Sequence, residues 1–136
     1  MQEFLPQSGS IKTEDELDLM SPSVLSFIGD GVQTLYVRVK LATTTTAKTE
    51  SLHRQTSSYV SAVAQSKALK KIQDILTEKE LGVFKRCRNC KTNTHAKNAS
   101  IGDYRIASGL EGLIGYLYLS GASARLGELL EIAYKD

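Results

Sequence analysis

At 136 residues, with 41% hydrophobic and 24% charged side chains, the chain can bury one core and has the composition of an ordinary soluble domain. No apolar run approaches the ~20 residues of a membrane span, the N-terminus lacks a secretory signal, and two cysteines make no disulfide framework, so the expected compartment is the cytoplasm, with no membrane partner. The net charge of +2 excludes indiscriminate attraction to polyanions, yet the stretch from Phe84 to Asn98 holds Lys85, Arg86, Arg88, Lys91 and Lys97 and no acid, which points to a specific anionic partner.

Residues 1–18, where Glu3, Glu14, Asp15, Glu16 and Asp18 face Lys12 as the lone base, read as a polar and loosely ordered lead-in with room for a short helical turn. Residues 19–136 read as one domain. Ser21-Pro22 is a helix start, with serine as N-cap and proline where its missing N–H is harmless. Leu25, Ile28, Val32, Leu35 and Val39 then recur at 3, 4, 3, 4 spacing, an apolar helical stripe. The threonine-rich stretch LATTTTAKTES reads as a loop. From Leu52 to Leu76 the pattern is helical with an early break, and Thr77-Glu78-Lys79-Glu80 has capping-box spacing for another helix through Val83 towards Arg88. Asn89 to Gly102 is polar and unpatterned, a loop. Asp103 can cap a helix carrying Ile106, Leu110, Leu113 and Leu117, which Gly121 ends. Ser123 starts a last helix with Leu126, Leu129, Leu130 and Ile132. No strand pattern emerges, and the expected class is all-α.

Two acids stand out against this background. Gly29-Asp30-Gly31 sits in mid-helix, where each glycine costs about 1 kcal/mol relative to alanine. Asp30 projects roughly opposite the apolar stripe, beside Ser26 and Thr34. An exposed aspartate on a solvated face needs no such flanks. Glu111 projects away from the Ile106/Leu110/Leu113 stripe, among Gly109, Gly112 and Gly115, which recur every three residues and let another backbone approach. Tight helix packing accounts for those glycines but leaves a carboxylate near a crowded contact, where it wants a partner or a metal. Two acids converging from two helices suit Mg²⁺, which takes hard oxygen ligands and keeps several waters, and Mg²⁺ can activate water for phosphodiester hydrolysis.

LSFIGDGVQTLYVR and YRIASGLEGLIGYLYLSG resemble the two signature segments of the ribonuclease III catalytic domain. The closer likeness is to the Mini-ribonuclease III subfamily, bacterial enzymes that consist of that domain alone. FKRCRNCKTNTHAKN resembles the basic loop of that subfamily, LHRQTSSYVSAVAQ resembles its middle segment, and the likeness spans residues 20 to 133. The resemblance implies a homodimeric helical bundle that cuts double-stranded RNA with Mg²⁺, with Asp30 and Glu111 as the catalytic metal ligands. It further implies maturation of large-subunit (23S) ribosomal RNA in bacteria, and leaves room for a ribosomal protein that presents the substrate. Full-length ribonuclease III has further acids where this chain has Ser23, Ser26 and Ser108. That thinning matches the subfamily, favours one ion held largely by water and RNA phosphate, and leaves Ser26 and Ser108 as candidates to steady the ligands. The chain ends shortly after the domain, so no double-stranded-RNA-binding domain is expected.

Lys85, Arg86, Arg88, Lys91 and Lys97 are then the expected phosphate contacts, with Asn89 as a hydrogen-bond donor; the plain alternative is a solvated charge run. Cys87, Cys90 and His95 have the spacing of a zinc knuckle's front, but the fourth place is Ser100, and two reduced thiols is the plainer reading. His53 reads as packed or interfacial, and Tyr104, Tyr116 and Tyr118 as core and interface residues. The rival function is a non-catalytic RNA-binding or ribosome-assembly factor of the same fold, with its acids idle. A helical interaction domain without nucleic acid ranks third.

Overall fold

Helix α6 (Ile101–Leu119) is the axis of the fold, and the computed structural model describes residues 7–90 and 100–135 around it. Its middle is buried on almost every side, from Ala107 through Leu110, Leu113 and Ile114 to Leu117. A helix that is apolar all round belongs inside. Around it pack α2 (Pro22–Thr44), α4 (Ala62–Ile72), α5 (Glu78–Arg88) and α7 (Ser123–Ala133), while α3 (Thr49–Val60) lies against α2 and α4. A 3₁₀ turn, Gln73–Ile75, follows α4. Among the described residues there is no strand, and no helix is long and apolar enough to cross a membrane. Lys91, His95 and Lys97 lie outside the described residues.

The capping box at Thr77 forms as its spacing predicts: Glu80 N donates to Thr77 Oγ1 at 3.1 Å and Thr77 N to Glu80 Oε1 at 2.8 Å. Gly121 ends the α6 hairpin at φ +76°. Other local expectations need revision. The threonine loop is shorter than its composition suggests, because the hydroxyls of Thr43 and Thr44 donate to the Val39 and Lys40 carbonyls (2.7 and 2.6 Å) and carry α2 on to Thr44. The break in the next helix falls at Ser61, whose Oγ accepts from Ala64 N. Ser100, not Asp103, caps α6, and the Asp103 carboxylate instead accepts from Ser66 Oγ at 2.8 Å.

The apolar stripe of α2 holds at Leu25 and Val32 and then turns outward. Leu35 and Val39 are 43% and 51% exposed, while the buried line runs through Gly29, Gln33, Val37 and Leu41. Glycine and glutamine on the buried side hid that line from a count of apolar residues. Ile132 is likewise at the surface of α7.

Within residues 7–18 the expected short helical turn forms. A Thr13/Glu16 capping box starts α1 (Glu14–Asp18), and Leu17 is fully buried in the core. Arg86 closes the other end of α1, its guanidinium donating to the carbonyls of Leu17, Asp18 and Met20 at 3.2–3.3 Å. Lys79 adds ion pairs to Glu14 at 3.0 Å and Asp18 at 2.9 Å, and Lys12 N donates to the Leu119 carbonyl at 2.9 Å.

Candidate active site

The site is built on a main-chain crossing. A Cβ placed on Gly29 would land on the carbonyl oxygen of Glu111 and lie 2.9 Å from Gly115 N, and one placed on Gly115 would strike the Leu25 carbonyl. No side chain fits between α2 and α6 there, and only glycine lets the two backbones touch. Further along α6, Gly109 lies under Phe84 and Gly112 under Cys87, so the same three-residue glycine repeat also seats α5. Gly31 differs: nothing lies within 4 Å of its missing Cβ. It belongs to the outer face of α2 with Val24, Phe27 and Leu35, not to the crossing.

Because Asp30 follows Gly29 and Glu111 lies across from it, the crossing places their carboxyl groups in hydrogen-bonding contact. Asp30 is exposed and Glu111 is partly buried. Burial, first, and then the hydrogen bond and charge of Asp30 push Glu111 up to about 8, against a smaller opposing effect of the Gln65 side chain. Two carboxyls in this position share a proton or need a cation.

Both acids open onto a cleft of about 400 Å³. Ser26 and Ser108 are in it too, Ser26 Oγ donating to the Ser108 carbonyl at 2.9 Å, a stitch from α2 to α6 beside the acids. Phe27, Tyr104, Cys87 and Cys90 complete the walls. Among the described residues no three His, Cys, Asp or Glu side chains come close enough to hold a metal. Two carboxylates are a hard oxygen pair that could serve a divalent ion if water and phosphate supplied the rest of its shell.

The basic residues at the end of α5 separate into two kinds. Lys85 is exposed. Arg88 lays its guanidinium over the Phe84 ring at 5.6 Å and donates to Asn89 Oδ1 at 3.0 Å. Arg86 is engaged with the α1 carbonyls described above. His53 is exposed rather than packed within the chain.

Sequence reasoning passed over Gln65, which is 3% exposed on α4 and donates from Nε2 to Glu111 Oε2 at 3.4 Å. Its signal was there: Gln65, Leu69 and Ile72 share one face of α4, with a polar residue at a core position. Tyr104, expected among the core and interface residues, lines the cleft.

Known proteins resemble this chain over most of its length. The Ribonuclease III domain matches residues 23–122. Mini-ribonuclease 3 of Thermoanaerobacter sp. (strain X514) is 42% identical over 133 residues, covering 98% of this chain and 93% of that protein. Mini-ribonuclease 3 of Clostridium tetani is 45% identical over 121 residues, covering 88% and 80%. A crystal structure of a protein from Fusobacterium nucleatum superposes with a TM-score of 0.78 at 28% identity, over 90% of this chain and 98% of that one. The chain belongs to the ribonuclease III family and, within it, to the Mini-ribonuclease 3 group.

Proposed function

We propose that this protein is a Mg²⁺-dependent endoribonuclease that hydrolyses phosphodiester bonds of double-stranded RNA, with Asp30 and Glu111 as its metal ligands and the precursor of large-subunit ribosomal RNA as its substrate. The observation that carries the reading is the carboxyl pair held at a glycine-only crossing. A carboxyl buried as Glu111 is gains from a cation beside it, and exposed Asp30 completes the pair at the mouth of the cleft. Asp30 and Glu111 would hold the Mg²⁺ ion, which would supply Lewis acidity at a phosphate and a more acidic water.

The chain's own residues do the positioning. Ser26 and Ser108 hold the two helices in register beside the acids. Lys85, Arg88 and Asn89, with Lys91 and Lys97 of the following segment, contact phosphates along the duplex, whose shape and backbone are what a protein reads in paired RNA. Arg86 is left out of that group because its donors serve α1. Two copies pair through the outer face of α2, where Phe27 is 74% exposed beside Val24 and Leu35 and where Gly31 leaves open space. Two sites related by that pairing cut the two strands. A ribosomal protein that presents the precursor belongs to the same reading.

The test is cleavage of a ribosomal-RNA precursor duplex in Mg²⁺, naked and as ribonucleoprotein, by the parent chain, Asp30→Asn and Glu111→Gln. Either substitution should cut the rate by about 10³-fold with duplex binding retained. Undiminished cleavage by both variants would overturn the ligand assignment. Binding without cleavage by the parent on either substrate would favour the assembly-factor reading.

A further inference from the structure

We propose that Gln65 is a positioning residue for the nuclease reaction: its carboxamide holds the Glu111 carboxylate in the orientation that receives the metal ion. The inference rests on the reading of Glu111 as a metal ligand. Gln65 is on α4, a helix that contributes no acid to the cleft, and its side chain is almost wholly buried. Nε2 donates in two directions, to the Val60 carbonyl at 2.9 Å and to Glu111 Oε2 at 3.4 Å. The longer contact is of the kind that tightens when the acceptor takes up full charge in the working complex.

The orientation of the amide is fixed by its surroundings. The Val60 carbonyl can only accept, so the nitrogen must face it, and Oε1 is left buried without a hydrogen-bond partner. A buried carbonyl with no donor is unfavourable. If this position only filled space between Ala62, Leu69 and Ile72, a methionine or leucine would fill it without that defect. The bond to Val60 alone closes the end of α3 where the chain breaks at Ser61, which is a structural task. The second N–H is directed at the acid, and a carboxylate with one oxygen anchored presents the other towards Asp30 and the cleft. Partners of metal ligands commonly set ligand orientation in this way.

The two tasks separate by experiment. With the full chain free of RNA, Mn²⁺ binding is followed by the electron paramagnetic resonance of the free ion for the parent, Glu111→Gln and Gln65→Met. Glu111→Gln should abolish binding. Gln65→Met should weaken it about tenfold, and in cleavage assays the half-saturating Mg²⁺ should rise by a similar factor while the rate at saturating ion stays near that of the parent. A lower melting temperature for Gln65→Met with unchanged ion affinity would overturn the proposal and leave Gln65 as a cap for α3. Parent-like ion binding by Glu111→Gln would instead remove the ligand reading, and the proposal with it.

Should Gln65→Met fail to fold, the parent itself supplies the measurement. The ¹⁵N side-chain amide signals of Gln65 should shift on titration with Mg²⁺, while those of Gln55, which donates to Ser51 on α3, stay in place. An unmoved Gln65 amide would overturn the proposal.

Discussion

Glu111 and Asp30 meet across the α2–α6 crossing, one carboxyl partly buried and the other at the surface. Without a cation the folded protein keeps the Glu111 proton up to about pH 8, whereas the unfolded chain releases it near 4.5. The folded state therefore binds the proton more tightly. Its advantage is complete below pH 4.5, declines as the pH rises above that value, and is gone above 8. Metal-free protein should accordingly lose roughly 3 kcal/mol of stability between pH 5 and 8, a loss that Glu111→Gln removes. Chemical denaturation of both proteins across that range, with chelator present, is the measurement. Added Mg²⁺ should restore stability to the parent at pH 8 and not to the variant.

The glycines of the two signature segments should not all respond alike. Gly29→Ala and Gly115→Ala each drive a Cβ into a backbone carbonyl of the other helix, and each should cost more than about 4 kcal/mol, enough to unfold a small domain. Gly31→Ala meets open space and should fold with the parent's helical content. Circular dichroism and urea unfolding distinguish the two cases. A Gly31→Ala chain that unfolds as Gly29→Ala does would contradict the separation drawn between them.

Neighbouring arginine and lysine on α5 should part company. Lys85→Met, which removes an exposed charge, should lower the slope of log affinity for duplex RNA against log salt by about 0.7–0.9 and leave the fold intact. Arg86→Met deprives three carbonyls of their donor and should cost about 2 kcal/mol of stability. Paired salt titrations and melting curves read both effects.

Away from the cleft, Arg125 grips Glu80 through two hydrogen bonds of 2.8 and 2.9 Å and also donates to the Ile75 carbonyl at 2.7 Å. The Arg125 side chain, first, holds Glu80 below the usual carboxylate range despite burial. Arg125→Ala should destabilise by about 2–4 kcal/mol at pH 7, since it leaves a nearly buried charge without its partner. Because the Glu80 carboxyl is depressed in the folded state, this contribution is present above about pH 4.5 and fades as the pH falls. Denaturation at pH 7 and pH 3 should show the gap between variant and parent closing.

Much of the architecture was legible because its signals are local. Proline after Ser21, the Thr77/Glu80 pair and Gly121 each act within a turn of the backbone, and each marks the boundary its chemistry predicts. The acids were legible for another reason: glycine beside a charge in mid-helix contradicts local stability, and such contradictions mark places where a longer-range requirement prevails. What escaped depended on neighbours distant in sequence. The outward turn of Leu35 follows from where α6 crosses α2, and the Leu17 carbonyl finds its donor in Arg86, 69 residues on. Gln65 was visible only as a polar residue on an apolar face, and its partner Glu111 lies 46 residues away.

The backbone crossing also decides how this protein can change. Side-chain cores drift under mutation because rotamers absorb small differences in volume. Where Gly29 meets Glu111 there are no rotamers to adjust, so the separation of the two helices that carry the acids is a dimension of the main chain. Substitutions at Leu113, Val37 or Leu126 can raise or lower the melting temperature while that dimension stays fixed. Lineages that diverge in stability would inherit the crossing of α2 and α6 as an indivisible unit.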